Sequence, residues 1–210
     1  MTYLAPSAQR GATLLIALVM LIVLTLLAVS SMRGVTLESR ITGNRAHSLK
    51  LHNAADAALR EAEFRFYGPA HLRDKLEPTA TNCSTANTLN DAGLNKPCLL
   101  EIKEDKLDAF VFQPQVLDDA AKSAFLTSES SSGLAWMPYV GLDPDIDSEA
   151  DFDAEWNSTR ATNSTDTAIN AEYGMAAEGI GTYFYLNNGR ADNQLTLQST
   201  IANIYLGLNN

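Results

Sequence analysis

The sequence has too little positive charge and too few histidines and cysteines for several common functions. Its 210 residues include 15 Lys and Arg against 25 Asp and Glu, for a net charge of −10. Because such a surface repels phosphate backbones, we expect no direct binding of nucleic acid. The three histidines are His47, His52 and His71; the first two are five residues apart, whereas metal ligands on one helical face are about four apart. A Gly-rich phosphate loop, zinc-ligand spacing and a nucleophile elbow are also missing, so we expect no enzymatic site.

Charge of either sign is missing from one long segment near the N-terminus. Residues 12–32 are 21 uncharged, mostly apolar positions. As a helix they would span roughly 31 Å, about the thickness of a bilayer core. A secretory signal is cut after its apolar core, whereas a cut after Gly11 would leave this run attached to the mature protein. Since Arg10 borders the run, we expect residues 1–11 in the cytoplasm and the rest outside it.

The helical pattern continues beyond this span. Apolar side chains recur at spacings of three and four, at Leu37, Ile41, Leu51, Ala54, Ala55, Ala58, Leu59, Ala62 and Phe66. The charged side chains expected on the other faces are Glu38, Arg40, Arg45, Lys50, Arg60, Glu61 and Arg65. Gly68 and Pro69 would end a single helix running from Ala12 to Tyr67. Gly34 and Gly43 either unwind it locally or only lower its helix propensity.

The remaining residues, 69–210, predict a head of mixed composition. Runs rich in branched and aromatic residues indicate strands at Leu99–Lys103, Ala109–Gln113, Leu134–Val140, Ile180–Leu186 and Leu195–Leu206. A turn is expected at Asn187–Gly189, because Asn and Gly accept positive φ, and it would pair the last two strands. A short helix is expected over Leu117–Leu126, opened by Asp118 and Asp119.

The expected fold class is therefore α+β, with an antiparallel sheet packed on the amphipathic half of the long helix. This organisation divides the chain into a leader (1–11), a transmembrane segment (12–32), an amphipathic helix (33–68) and the head (69–210).

The two cysteines, Cys83 and Cys98, bracket a polar stretch. A disulfide at this spacing would close a loop and stabilise the fold by about 3 kcal/mol, by restricting the unfolded chain. The alternative is two free thiols in a reduced protein. The exported topology inferred above favours the disulfide, because extracytoplasmic compartments are oxidising.

Between residues 128 and 167 the composition changes to Ser, Thr, Asn, Asp and Glu. Such a segment indicates a loop, or several loops with a short strand inside. Surface loops of this kind tend to carry partner specificity.

Within this acidic loop region, acids alternate along the chain. Asp143, Asp145 and Asp147 fit the start of a calcium loop, because Ca²⁺ takes about six to eight oxygen ligands. However, Ser148 stands where the turn glycine belongs and Ala154 where the bidentate glutamate belongs. The two interpretations are a weak calcium site and a solvated acidic loop; otherwise we expect no cofactor.

The junction between leader and span resembles the processing region of type IV prepilins. The likeness is carried by Arg10–Met20, with the sequence RGATLLIALVM. Further stretches are similar to the PilX family of minor pilins, at Ser31–Arg33, Thr36–Asn44, Asn53–Glu63 and Leu197–Thr200. The resemblance implies that a membrane peptidase cuts after Gly11 and methylates the new N-terminal amine of Ala12.

One position departs from this family pattern. Most pilins of this class carry a glutamate at the fifth mature position, which is Ile16 here. In the family picture that carboxylate neutralises the N-terminal amine of an adjacent subunit in the apolar filament core, where an unpaired charge costs several kcal/mol. The departure suggests a subunit that sits at the filament tip or primes assembly. Alternatively, Ile16 is only a lipid-facing residue in a protein that assembles in another way.

The resemblance implies a minor pilin of a type IV pilus, held in the inner membrane with a periplasmic head and then incorporated into the fibre. Its implied partners are other minor pilins, the major pilin, a tip adhesin-like protein and the prepilin peptidase. The fibre would support pilus assembly, adhesion and twitching motility. Two alternatives stay open, a minor pseudopilin of a type II secretion system and a periplasmic enzyme held by an uncleaved anchor.

Overall fold

The computed structural model describes residues 12–67, 76–89, 95–128, 130–143, 145–146, 148, 150–161 and 180–205. The helices are α1 (Ala12–Phe64), α2 (Glu104–Phe112) and α3 (Lys122–Phe125). The strands are β1 (Leu99–Leu100), β2 (Met137–Pro138), β3 (Ala154–Arg160), β4 (Gly181–Ala191) and β5 (Leu195–Tyr205). Short 3-10 helices cover Ala80–Asn82, Pro114–Val116 and Ser130–Ser132. The chain divides into two compact units, residues 1–48 and 49–210.

Helix α1 is continuous for 53 residues and ends at Phe64, close to the predicted end at Tyr67. It passes through Gly34 and Gly43 without a break, so the local unwinding considered for these glycines does not occur in this structure. In the second unit its buried face follows the predicted spacing closely, at Leu51, Ala54, Ala55, Ala58, Leu59 and Ala62. Gly68 and Pro69 lie outside the described residues.

The sheet is mixed, which corrects the expectation of a purely antiparallel one. Strands β3, β4 and β5 form an antiparallel series, and β3 also pairs with β1 and β2. The β1–β3 pairing is parallel and the β2–β3 pairing is antiparallel. Because β3 holds partners along both sides, it is the central strand of the head, and the fold is α+β as predicted.

Two predicted elements differ from the structure. Ala109–Gln113 was expected to be a strand, but residues 109–112 belong to α2. Glu104 and Asp105 occupy the first turn of α2, where carboxylates favour the positive helix end, and its buried residues Leu107 and Phe110 are three apart. This spacing buries one helical face, so it outweighs the strand preference of the aromatic residues.

The helix expected over Leu117–Leu126 is reduced to α3. The side chain of Asp118 still has a local role, because its Oδ1 accepts a hydrogen bond from the Ala121 amide at 2.6 Å. The strands predicted at Leu99–Lys103 and Leu134–Val140 are each only two residues long.

The turn predicted at Asn187–Gly189 is wrong, because β4 runs through these residues. The chain reverses at Asp192 and Asn193, both with positive φ (49° and 52°), and the Gln194 amide donates to the Ala191 carbonyl at 2.9 Å. Asp and Asn tolerate this backbone conformation better than most residues.

Gly189 has a packing role instead. A Cβ at this position would lie 2.5 Å from the Leu59 amide nitrogen and 2.8 Å from the Leu59 Cα, and would also meet the Ala55 carbonyl oxygen. Real Cβ atoms do not approach other atoms this closely. The absence of a side chain at Gly189 therefore lets α1 lie directly against β4.

The centre of the sheet contains a buried polar network. Ser158 Oγ donates to Asn187 Oδ1 at 2.7 Å, and Asn188 Nδ2 donates to Asn157 Oδ1 at 2.9 Å. All four residues are buried. Asn157 Nδ2 also donates to the Ala135 carbonyl at 2.9 Å, so these hydrogen bonds offset part of the cost of burying the four side chains.

A second core cluster lies beyond the end of α1. The rings of Phe66 and Tyr185 are 5.2 Å apart at their centroids, and both residues are buried. Burial raises the pKa of the Tyr185 phenol well above its usual range, although the positive charge of Arg160 acts in the opposite direction. The phenol therefore stays neutral at physiological pH.

We expect Gly189→Ala to destabilise the full-length protein by about 1–3 kcal/mol, because the added methyl group forces α1 away from β4. The measurement is thermal unfolding in detergent followed by circular dichroism. The matched control is Gly43→Ala, where no atom lies within 4 Å of the added Cβ and alanine favours the helix by about 1 kcal/mol. Equal melting temperatures for the wild type and Gly189→Ala would show that α1 does not need this close approach.

Candidate functional site

The predicted start of the mature protein, Ala12, lies within α1. Ala12 is the first residue of the helix, while Gly11 and the rest of the proposed leader lie outside the described residues. Ile16 lies in the first two turns with 57% of its surface exposed. Cleavage after Gly11 and methylation of Ala12 stay predictions.

The uncharged part of α1 is suited to an apolar environment. It contains an 18-residue window of mean hydropathy 3.0, none of which is buried within the protein. Its length and composition are sufficient to cross a membrane. Residues 12–32 thus present an apolar surface that the chain itself leaves uncovered.

At its C-terminal end, α1 contributes Glu61 to a buried ion pair with Arg65, the first residue after the helix. Arg65 Nη2 lies 2.8 Å from Glu61 Oε1, and the two side chains are 1% and 0% exposed. The sequence pattern placed both residues on the helix faces left for water or neighbouring molecules, but both are buried within this chain. They are buried because the head packs over this face of α1 as well.

The carboxylate of Glu61 connects the helix to Val140 and Gly141 in the acidic loop region. Its second oxygen, Oε2, accepts hydrogen bonds from the amides of Val140 at 2.8 Å and Gly141 at 3.3 Å. A buried carboxylate with these partners has its charge and its lone pairs satisfied. Glu61 therefore holds this part of the acidic loop region against α1.

The guanidinium of Arg65 connects the end of α1 to the loop that the Cys83–Cys98 disulfide closes, which we call the disulfide loop. Its Nη1 donates to both the carbonyl oxygen and the side-chain Oδ1 of Asn87, each at 3.0 Å. The guanidinium carbon also lies 4.8 Å from the ring centroid of Trp156 on β3, a cation–π distance. One pair of charges thus joins α1, the sheet and two loops.

The predicted disulfide is confirmed: Cys83 and Cys98 are bonded and both are buried. The loop that they close includes Asn87, whose Nδ2 donates to the Asn82 and Lys96 carbonyls at 2.6 and 2.9 Å. The disulfide and this asparagine fix the loop from within, while Arg65 holds it from α1.

The structure describes only part of the proposed calcium loop. Asp143 Oδ1 accepts a hydrogen bond from the Asp145 amide at 3.0 Å, a local turn interaction. Asp147 lies outside the described residues. Within the described ranges no three His, Cys, Asp or Glu side chains converge as a metal site, so calcium binding stays a prediction.

The sequence pattern did not identify β3 as the central strand of the head. It allowed a short strand somewhere in the acidic loop region, but gave no position for it. The sequence signal for this strand was Trp156, because a large aromatic residue in a polar segment favours burial. In the structure Trp156 is completely buried.

Comparison with known proteins identifies one region of the chain. A family model described as PilX N-terminal matches residues 10–60. No curated protein and no solved structure matches the chain significantly.

The family match supports a PilX-family, type IV pilin-like protein. A long N-terminal apolar helix followed by an α+β head is consistent with the type IV pilin fold. The apolar helix and the family match together fit a protein anchored in the inner membrane.

We expect Glu61→Gln to destabilise the full-length protein by about 3–5 kcal/mol, because Arg65 would remain buried without its counter-charge. Replacing both residues with methionine should be less harmful than Glu61→Gln alone, since no charge would then be buried. Asp56→Asn is the control: it removes the exposed Asp56–Arg60 pair at the same i,i+4 spacing, and should cost less than about 1 kcal/mol.

Denaturant unfolding of the four proteins in detergent measures these effects. A small cost for Glu61→Gln, equal to that of Asp56→Asn, would contradict the role assigned to the buried pair.

Proposed function

We propose that this protein is a minor pilin of a type IV pilus. The observation that carries the proposal is α1 itself: residues 12–32 are uncharged and exposed, and the same helix continues into a segment buried against the head. The PilX N-terminal match spans both segments. A helix of this kind can lie in a membrane first and later pack among similar helices in a filament.

In this proposal the protein has no catalytic role, and its mechanism is the burial of apolar surface. Leu14, Leu21 and Leu26 are 63–73% exposed in the isolated chain. Burying a leucine side chain fully contributes roughly 1.5–3 kcal/mol. Neighbouring helices in a fibre replace the lipid contacts of these side chains, so transfer from the membrane leaves no large apolar surface in water.

The leader and the head would lie on opposite sides of the inner membrane. Residues 1–11, which carry Arg10, remain cytoplasmic until a peptidase cuts after Gly11 and methylates Ala12. The head lies in the periplasm, where the Cys83–Cys98 bond is stable, because that compartment is oxidising. The mature protein then enters the fibre at the cell surface.

Ile16 supports a position at the tip of the filament, or a priming role. Between Ala12 and Met32 there is no carboxylate to pair with the amine of another subunit. A subunit without this group is best placed where it has no preceding amine to neutralise. The proposed partners are other minor pilins, the major pilin and a tip adhesin-like protein, through which the fibre would support adhesion and twitching motility.

We expect the protein isolated from membranes to begin at Ala12 and to carry one methyl group on its N-terminal amine. Intact-mass spectrometry measures the mass and, on an unreduced sample, the state of the two cysteines. Gly11→Leu should retain the leader because the peptidase needs a small residue there, whereas Gln9→Ala should be processed normally. A mature protein that begins at Met1 or Thr2 would favour an anchored periplasmic protein instead.

We expect Ile16→Glu to move the protein from the tip to positions along the fibre, because the new carboxylate can neutralise a neighbouring amine. Immunogold electron microscopy of sheared pili gives the distribution. Ile16→Gln is the uncharged control and should label as the wild type does. Identical tip labelling for Ile16→Glu and the wild type would contradict the role assigned to residue 16.

A further inference from the structure

One side of the sheet ends in the long strand β5, whose outer edge pairs with no other described strand. Strand β5 has 11 residues, and within the described part of the chain it pairs only with β4. The opposite side of the sheet offers little comparable edge, because β1 and β2 have two residues each. The sheet can therefore be extended at β5 in a way that it cannot be extended elsewhere among the described strands.

Strand β5 lacks the features that usually protect an edge. Proteins commonly block an exposed edge with charged residues, proline or a β-bulge. The sequence of β5, LTLQSTIANIY, contains neither a charged residue nor proline. Its pairing with β4 is regular from Leu195 to Tyr205, so the strand also has no bulge. The backbone of β5 is thus suited to accept another strand.

A cavity with both polar and apolar lining residues adjoins the first half of this edge. It has a volume of about 400 Å³ and lies between the end of α2 and the start of β5. Phe112 on one wall is 84% exposed, and Leu195 and Leu197 lie on the other. Gln198 Nε2 donates to the Val111 carbonyl at 3.0 Å, which fixes this end of α2 beside the strand. An exposed aromatic residue beside a free strand edge provides an anchor for a side chain of an added strand.

The net charge of the chain indicates whether the partner that binds at β5 is a second copy of this chain or a different protein. Each copy carries a net charge of −10, so two copies that meet at an uncharged edge repel each other. A strand from another chain, with neutral or basic flanks, meets no such repulsion. The surface favours a heterologous partner for this reason.

We propose that residues 195–202 of β5, together with the Phe112 cavity, form a binding site for an extended, uncharged or basic segment of a different protein. The segment adds to the sheet as a further strand. Backbone hydrogen bonds provide most of its affinity, and an apolar side chain inserted beside Phe112 provides specificity. This inference depends on the geometry of the head and not on processing of the N-terminus.

Photocrosslinking in producing cells tests the site. A photoreactive amino acid is placed singly at Thr196, Thr200 and Ala202, and at Thr85 as an exposed control in the disulfide loop. We expect crosslinks from the three β5 positions to one segment of a different protein, and none to that segment from Thr85.

Peptide mapping of the crosslinks then reports strand pairing directly. In an antiparallel pair, the residue numbers of the two crosslinked positions have a constant sum; in a parallel pair, they have a constant difference. One of these two relations should hold across all three positions. Phe112→Ala should lower the crosslink yield by about tenfold, as expected for loss of an aromatic anchor, without changing the melting temperature, because this side chain is largely exposed.

Several results would overturn the proposal. They are crosslinks without a constant register, crosslinks only to a second copy of this chain, crosslinks to the chain's own residues 162–179 or 206–210, and no protein crosslink at all. An unchanged yield for Phe112→Ala would remove the cavity from the site. None of these results bears on leader cleavage, which is read separately from the intact mass.

Discussion

The close contact between α1 and the central sheet is the constraint on which the rest of the head depends. Alanines at positions 54, 55, 58 and 62 keep the buried face of the helix flat, and Gly189 lets β4 approach it. With so little side-chain volume between them, the helix and the sheet are held at a short distance that tolerates no added methyl group. Glu61 then attaches Val140 and Gly141 of the acidic loop region to this contact, and Arg65 attaches the disulfide loop.

This arrangement gives the two halves of α1 different tasks. The first half is exposed and apolar, which suits a membrane or a bundle of similar helices. The second half is buried by its own head and ends in a buried ion pair. In the proposed minor pilin, the helix is both the anchor and the framework of the head.

The two edges of the sheet also differ in how much strand backbone they present for pairing among the described residues. One side of β3 is occupied by two short strands, whereas β5 presents a long, uncharged edge. In the proposed minor pilin, a free edge on the head gives partners a surface that is independent of the helix. Assembly through the helix and recognition through the head then make use of different physical interactions, the burial of apolar side chains and the pairing of backbones.

Sequence patterns were most informative where they were long and regular. The uncharged run of residues 12–32, the helical spacing from Leu51 to Ala62 and the pairing of the last two strands could all be recognised from the printed sequence. The turn between those strands was misplaced, because Asn187, Asn188 and Gly189 have the composition of a turn but lie inside β4. Asparagine in a central strand is acceptable here because Asn157 and Ser158 on β3 provide hydrogen-bond partners.

The sequence by itself determined the apolar helix, its amphipathic continuation and the α+β class, and it favoured a bond between Cys83 and Cys98 over two free thiols. The helix and the fold class follow from local periodicity. The chain has only two cysteines, so each has only one possible partner within it. Only the tertiary structure decided that Glu61 and Arg65 are buried, that residues 154–160 form the central strand and that Gly189 is a contact point. A charged or polar residue can be buried when distant parts of the chain supply its partners, and such partners are brought together only by the folded chain.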